Sequence, residues 1–432
     1  MKHYIKKVAD HPFISGSVVV VAGAMIANIL NYLFNLAVGR MLLPADYGEY
    51  AALISIFNIL AIFSGTILIV FAKFAAVFMG KNEKEKIPHL LQRGSLFTGV
   101  IALIICTIAL IATPWIAEFI HTSDTSLIFL VIASIFVLYI SSVPLGILQG
   151  SLHIVSLSVV NIVSSFSKLF FGVLFIVIGL KAFGGILAFF VSIIIGLTYG
   201  TVLVMKFFKN DDNKVFRIPT LRNDLFKYGL PVFWSGLGMT MVISQDILLV
   251  KHYFNDLQAG QYAALSLMGR SIFYVVQPIT TVFFSIVAQK KEKNEGLTNT
   301  MLLGAFLIGG PTVLLSIIYF LFPGVVIKIF FPAPEYASLA QYLGLYSLFI
   351  AFFSLASLLN SFFLSIGKTV VLFFGIGAAI LEVVLLMMFH GNLLEVTYSL
   401  IATSFVLLLV LLIYYIYIRR VEDKHILPHE KL

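Results

Sequence analysis

Cysteine is nearly absent: Cys106 is the single one in 432 residues. An intramolecular disulfide is therefore excluded, and no second thiol is present to build a metal centre around. Charge is scarce as well, with Asp, Glu, Lys and Arg at 11% against about 25% in soluble domains. The nine histidines (His3, His11, His89, His121, His153, His252, His390, His425 and His429) fall in loops, tails or span ends, without metal-ligand spacing. No Gly-rich loop ending in Gly-Lys-Ser/Thr occurs, so the chain is not expected to hydrolyse nucleotide. No connection is long enough to hold a soluble domain; the longest runs from about Phe207 to Gly229. Neither a cofactor nor a metal is expected, and the chain does not read as an enzyme.

What remains is apolar. Hydrophobic residues make up 60% of the chain and the mean hydropathy is +1.05, which fits only a polytopic membrane protein. Apolar runs of about 20 residues, enough to cross a hydrocarbon core as helices, recur along the whole length. Twelve spans are expected at about 14–38, 50–79, 94–118, 126–149, 154–180, 183–206, 230–252, 261–288, 297–321, 338–362, 369–390 and 395–418. Helix is the state lipid demands, because each backbone group must find its partner locally. The basic start before 14–38 superficially resembles a signal peptide. The run is too long for that, and it reads as an uncleaved first span.

The net charge of +8 raises the question of nucleic acid, but the positions of the charges answer it otherwise. Of 28 Lys and Arg, 21 fall on one side of the membrane: at the N-terminus, in Lys81–Arg93, Lys206–Lys227, Lys290–Lys293, at Lys368 and in the tail. Four (Arg40, Lys181, Lys251 and Lys328) fall on the other side. This asymmetry is a topology signal that places both termini in the cytoplasm, and no nucleic-acid partner is expected.

The chain also repeats itself. Gly48-Glu49-Tyr50-Ala51-Ala52-Leu53 returns 212 residues later as Gly260-Gln261-Tyr262-Ala263-Ala264-Leu265, and Lys81-Asn82-Glu83 returns at the same offset as Lys293-Asn294-Glu295. The offset spans an even number of helices, so both copies face the same way. The expectation is an all-α protein of two six-helix bundles, 1–206 and 230–432, joined by a connector at 207–229 and related by a pseudo-twofold axis along the membrane normal. Parallel repeats of this kind are a transporter architecture, with substrate bound near mid-membrane between the halves.

Charges inside spans are costly, about 2.5–3.5 kcal/mol at a helix centre on insertion scales, and usually face a partner or a wet cavity. Five stand out: Lys73, Lys168, Asp246, Arg270 and Glu382. Arg270 shares a helix face with Tyr274 and Gln277, four and seven residues on. Either this stripe lines an anionic pathway, or Arg270 pairs internally with Asp246 or Glu382. Lys168 lies mid-span, where its ammonium has no easy route to water. Lys73 is near a span end, where snorkelling is open to it. Asn28, Asn31 and Asn35 share one face of the first span; they either bond to neighbouring helices or contact a polar ligand such as a sugar. Asp246 and Glu382 are candidates for H+ or Na+ coupling, or counter-ions for the basic residues.

The segment Arg40-Met41-Leu42-Leu43-Pro44-Ala45-Asp46-Tyr47-Gly48-Glu49-Tyr50-Ala51 resembles the start of span two in the polysaccharide flippase family. These are the Wzx-type oligosaccharide-lipid exporters of the multidrug/oligosaccharidyl-lipid/polysaccharide superfamily. Phe71-Ala72-Lys73-Phe74-Ala75 is similar to that family's basic-aromatic segment, and Asp246–Val250 with Ala259–Ala264 resembles the start of its second half. The resemblance implies a plasma-membrane flippase for polyprenyl-diphosphate-linked oligosaccharide, working by alternating access, with polysaccharide-assembly proteins as further partners. The diphosphate would fall to Arg270 and Lys73, which lie in segments matching the family, and to Lys168, a candidate from its mid-span position alone; the sugars would fall to Asn28, Asn31, Asn35, Tyr274 and Gln277. Two rivals stay open: a drug or cation antiporter of the same superfamily, which would need an acidic cavity, and a membrane-embedded polymerising enzyme, which would need large external loops.

Overall fold

The computed structural model describes residues 12–208, 230–293 and 295–426, and among them every regular element is helical. All but the first two residues of the expected connector (207–229), the basic N-terminus with Lys2, Lys6 and Lys7, Asn294 and the last residues of the tail lie outside the described residues. Eleven helices are long and apolar enough to cross a membrane, and the chain is a multi-pass membrane protein.

The first half comprises α1 (Pro12–Met41), α2 (Pro44–Gly80), α3 (Ile87–Ile111), α4 (Thr113–Phe119), α5 (Thr125–Gly150), α6 (Ile154–Val177) and α7 (Lys181–Phe207). The second comprises α8 (Leu230–Val242), α9 (Gln245–Tyr253), α10 (Asp256–Glu292), α11 (Thr298–Leu321), α12 (Pro323–Phe330), α13 (Ala340–Ser365), α14 (Val371–Met388) and α15 (Leu393–Ile426). The repeat is visible in helix lengths: α2 and α10 are both 37 residues, and α5 and α13 both 26. In each half the third span ends in a short extra helix, α4 or α12, of 7 and 8 residues.

Two expected spans are corrected. The run 230–252 is not one helix: it breaks at Ile243–Ser244, and neither piece alone is long enough to span. The break places Asp246 in the first turn of α9, where the free N–H groups and the helix dipole favour a carboxylate. The expected span 94–118 begins earlier, at Ile87, and is interrupted before Pro114. Pro88 lies within Lys81–Arg93, outside the expected spans, yet it occupies the first turn of α3, a position that requires no N–H from it.

Contacts divide the chain into two compact units, Met1–Phe233 with Phe254–Gly260, and Trp234–Tyr253 with Gln261–Leu432. In the first unit α5 is the hub, packed on α2, α3 and α7, while α1 packs on α6. In the second, α13 packs on α11 and α15, and α9 on α14. More than half of the most apolar stretch of both α5 and α13 is buried. Lipid supplies little hydrophobic drive between helices, so close backbone approach through small residues does the packing. Gly150 is one such residue: a Cβ there would lie 1.9 Å from the Ala72 carbonyl oxygen of α2.

The polar corner between α1 and α2 knits one end of the first unit. Asp46 pairs with Lys181 at 3.5 Å, and Glu49 accepts a hydrogen bond from Thr122. The connections after α1, α4 and α6 therefore share that end. Within the same unit the two echoed glycines meet. A Cβ on Gly48 would lie 2.8 Å from the Gly260 nitrogen, and one on Gly260 would lie 1.7 Å from the Pro44 oxygen.

Candidate functional site

Each unit holds a cluster of buried polar groups. In the second unit it is centred on Asp246, which is fully buried. Arg270 Nη2 donates to its Oδ1 at 2.7 Å. Tyr262 donates to Oδ2 at 2.7 Å, and the Tyr346 hydroxyl lies 3.1 Å from both Oδ2 and Ser266 Oγ. The helix break brings α9's first turn against α10, and Tyr262 and Arg270, eight residues apart on α10, reach the carboxylate together. Of the two readings open for Arg270, the structure shows the pairing with Asp246. Its Nε has no hydrogen-bond partner among the described residues.

Glu382, on α14, is fully buried within electrostatic reach of Asp246 and Arg270. Gln245 lies against it, but no hydrogen bond of normal geometry joins them; both Glu382 oxygens and Gln245 Oε1 lack partners among the described residues. Gln245 Nε2 instead donates to the Ala379 carbonyl at 2.8 Å.

In the first unit the polar cluster surrounds a cavity of about 230 Å³ between α1, α2, α5, α6 and α7. Lys168 lines it together with Asn31, Asn161, Phe57, Phe189 and four serines. The ammonium sits 4.2 Å from the Phe189 ring centre and 5.3 Å from that of Phe34. Such cation–π contacts contribute about 0.5–2 kcal/mol and fix the side chain without neutralising it. No carboxylate pairs with Lys168 among the described residues, and the buried polar groups of this unit include no Asp or Glu.

The remaining expected site residues are dispersed. Asn35 turns back to the Asn31 carbonyl and accepts from Tyr50 at 3.4 Å. Asn28 and Lys73 are exposed, as are Tyr274 and Gln277 beside buried Arg270. Of the three asparagines, the structure brings only Asn31 to the cavity. Sequence reasoning missed Tyr262, Tyr346, Gln245 and the lining serines Ser141, Ser165 and Ser192. Tyr262 carried a signal, as the repeat of Tyr50; Tyr346, a hundred residues from Asp246, carried none.

The two clusters occupy equivalent places in the repeat. The Asn31 amide donates to Ser165 Oγ at 3.1 Å across 134 residues, and the Gln245 amide donates to Ala379 across the same 134. Adding 214 carries 31 to 245, 165 to 379 and 168 to 382. Lys168 and Glu382 are thus counterparts of opposite charge, on the paired helices α6 and α14.

The family model described as "Polysaccharide biosynthesis protein" matches residues 13–284. Among solved structures, the chain is similar to an inward-facing multidrug resistance MATE family transporter of the MOP superfamily, at 14% identity and a TM-score of 0.77, covering 94% of this chain and 99% of that one. It is also similar to a MOP superfamily transporter from Pyrococcus furiosus, described as having a binding pocket of reverse polarity and, on that ground, a different function. There the identity is 16% and the TM-score 0.66, covering 92% and 94% of the two chains. At these identities the likenesses show the fold. No curated protein matches the chain.

Proposed function

Because the chain belongs to the polysaccharide biosynthesis protein family and has the fold of MOP superfamily transporters, we propose that it is a flippase. It carries polyprenyl-diphosphate-linked oligosaccharide from the cytoplasmic to the outer face of the plasma membrane by alternating access, and both of its termini are cytoplasmic. The observation that carries this reading is the Lys168 cavity: a lysine with no carboxylate partner among the described residues, set among amides and hydroxyls inside a membrane-spanning bundle. A cationic drug would meet repulsion there, which disfavours drug export.

In this reading Arg270 and Lys73 serve the diphosphate. Asp246 holds Arg270 through Nη2, and the buried Nε has no partner among the described residues. The sugars fall to Asn31, with Tyr274 and Gln277 exposed beyond Arg270 and Asn28 and Asn35 flanking Asn31. Transport is coupled to H+ or Na+ at Glu382, whose carboxyl oxygens lack partners among the described residues and would gain one from either ion, and at Asp246, which lies within electrostatic reach of it. Polysaccharide-assembly proteins would take the product on the outer face.

The test is deletion of the gene in its host. Lipid-linked repeat units should accumulate on the cytoplasmic face, and the intact gene should clear them. Accumulation of single units on the outer face would instead indicate a polymerising enzyme, and unchanged lipid-linked sugars with altered drug resistance would indicate a drug exporter. Tags at either end, protected from externally added protease in intact cells, check the orientation.

A further inference from the structure

We infer that the groove between α14 and α15 holds one bilayer phospholipid whose headgroup carries a primary ammonium, as in phosphatidylethanolamine. Its acyl chain lies in the groove and its ammonium meets Glu395. The site is for a resident lipid and not for the cargo, so it goes beyond the flippase reading. Only its assignment to the outer leaflet depends on the orientation proposed above.

The groove measures about 300 Å³ and is lined by Leu385, Phe389, Glu395, Tyr398, Ser399 and Ala402. Its depth identifies an acyl chain. α15 starts at Leu393, so Glu395 stands near the membrane surface. Ala402, nine residues into the helix, lies about 13 Å deeper at 1.5 Å per residue. That is most of one leaflet of a hydrocarbon core about 30 Å thick, a depth at which a sugar or other water-soluble ligand is not stable on an open helix face. The walls suit a chain. Phe389 and Tyr398, 46% and 53% exposed, frame the opening. Ser399 and Ala402, one turn apart, are small and leave the space between the two helices. The Ser399 hydroxyl donates to the Glu395 carbonyl at 2.9 Å, so a chain laid over it strands no donor.

The top of the groove carries a single charge. Glu395 Oε2 accepts from the Gly391 N–H at 2.9 Å, and Oε1 accepts from the Asn392 side-chain amide at 3.0 Å. Both donors are neutral, so they fix the carboxylate beside the groove without compensating its charge. No basic side chain pairs with it among the described residues. Each carboxylate oxygen keeps acceptor capacity beyond these bonds. An ammonium answers with both opposite charge and N–H donors. A choline headgroup brings the charge without the donors, and a glycerol phosphate headgroup brings charge of the wrong sign.

The experiment is native mass spectrometry of the purified, delipidated full chain in detergent. It is titrated with phosphatidylethanolamine, phosphatidylcholine and phosphatidylglycerol of identical acyl chains. Phosphatidylethanolamine should bind about fivefold more tightly than the other two, the effect of one partly exposed charge pair, and phosphoethanolamine without chains should not displace it. Glu395→Gln keeps an oxygen acceptor for the helix start and should abolish the preference, while Glu395→Lys should turn it toward phosphatidylglycerol. Ala402→Phe fills the groove and should abolish the preference with Glu395 intact, which keeps the test open should the Glu395 variants fail to fold. Equal binding of the three lipids by the unaltered chain, a preference surviving in both Glu395→Gln and Ala402→Phe, or displacement by phosphoethanolamine overturns the inference. So does a dimer, in place of bound lipid, that Ala402→Phe dissociates, since the groove then belongs to a second copy. None of these outcomes bears on whether the gene clears lipid-linked sugars from the cytoplasmic face, so the lipid site and the flippase reading fail separately.

Discussion

Removing Arg270 should cost stability, because its partner is buried with it. Asp246 is fully buried, and its Oδ1 depends on the guanidinium at 2.7 Å. Arg270→Ala leaves a carboxylate with only phenol donors, Tyr262 at 2.7 Å and Tyr346 at 3.1 Å. Breaking one side of a buried pair costs about 3–5 kcal/mol. Hydrogen bonds to a charged acceptor contribute about 1.5–3 kcal/mol each, so the surviving phenols place Arg270→Ala near the lower end, at about 3 kcal/mol. Asp246→Ala strands the guanidinium and should cost at least as much. The double variant Asp246→Ala, Arg270→Ala carries no orphan charge and should be more stable than either single one. Unfolding of the detergent-purified protein through a double-mutant cycle reads these differences directly. Two single losses below about 1 kcal/mol, or losses that simply add, would refute the claim that the pair is one structural unit. Export by the stabilised double variant then reports whether the charges act beyond folding; loss of export with stability restored assigns them to transport.

Other expected outcomes follow from the same geometry. Gly260→Ala puts a Cβ 1.7 Å from the Pro44 carbonyl oxygen and should lower stability by about 1–3 kcal/mol or more, whereas Gly65→Ala, exposed with nothing within 4 Å, should be neutral or slightly stabilising; thermal unfolding compares them. Glu382→Gln keeps the shape of the side chain and should leave the protein folded while making export indifferent to an imposed H+ or Na+ gradient, measured in vesicles. His153 stacks on Phe207 at 4.2 Å, and burial, aided by Lys84, holds its imidazole below the ordinary value. The unfolded chain therefore binds the proton more readily, so this contribution to stability is complete above about pH 6.5 and declines as pH falls below it. Hydrogen exchange around α6 at pH 5 and pH 7.5 should show the loss, and His153→Gln should flatten it.

The membrane architecture was legible because lipid leaves the backbone few options: composition and run length are enough to expect a helical polytopic chain. The repeat was legible where it kept identity, in Gly48–Leu53 and Gly260–Leu265, whose glycines the structure packs together. Boundaries were less so. Pro88 looks like a breaker in sequence but opens a helix, Pro114 falls inside an expected span yet opens a new helix, and the break at Ile243–Ser244 carries neither proline nor glycine. Charged residues inside spans identified where to look, yet pairing is a tertiary property: Asp246 draws on positions 262, 270 and 346. The correspondence of Lys168 with Glu382 was hidden by the divergence of their surroundings and by a shift of the repeat offset from 212 to 214.

That correspondence has an evolutionary consequence. A chain formed by duplication begins with two interchangeable copies, and so long as they match, either can be lost or replaced by the other. Opposite charges at 168 and 382 end that interchangeability. A fusion of two N-terminal halves would carry two buried lysines at these positions, and a fusion of two C-terminal halves two buried glutamates. At this position neither half reproduces the other's charge, so the two are distinguishable copies within one polypeptide.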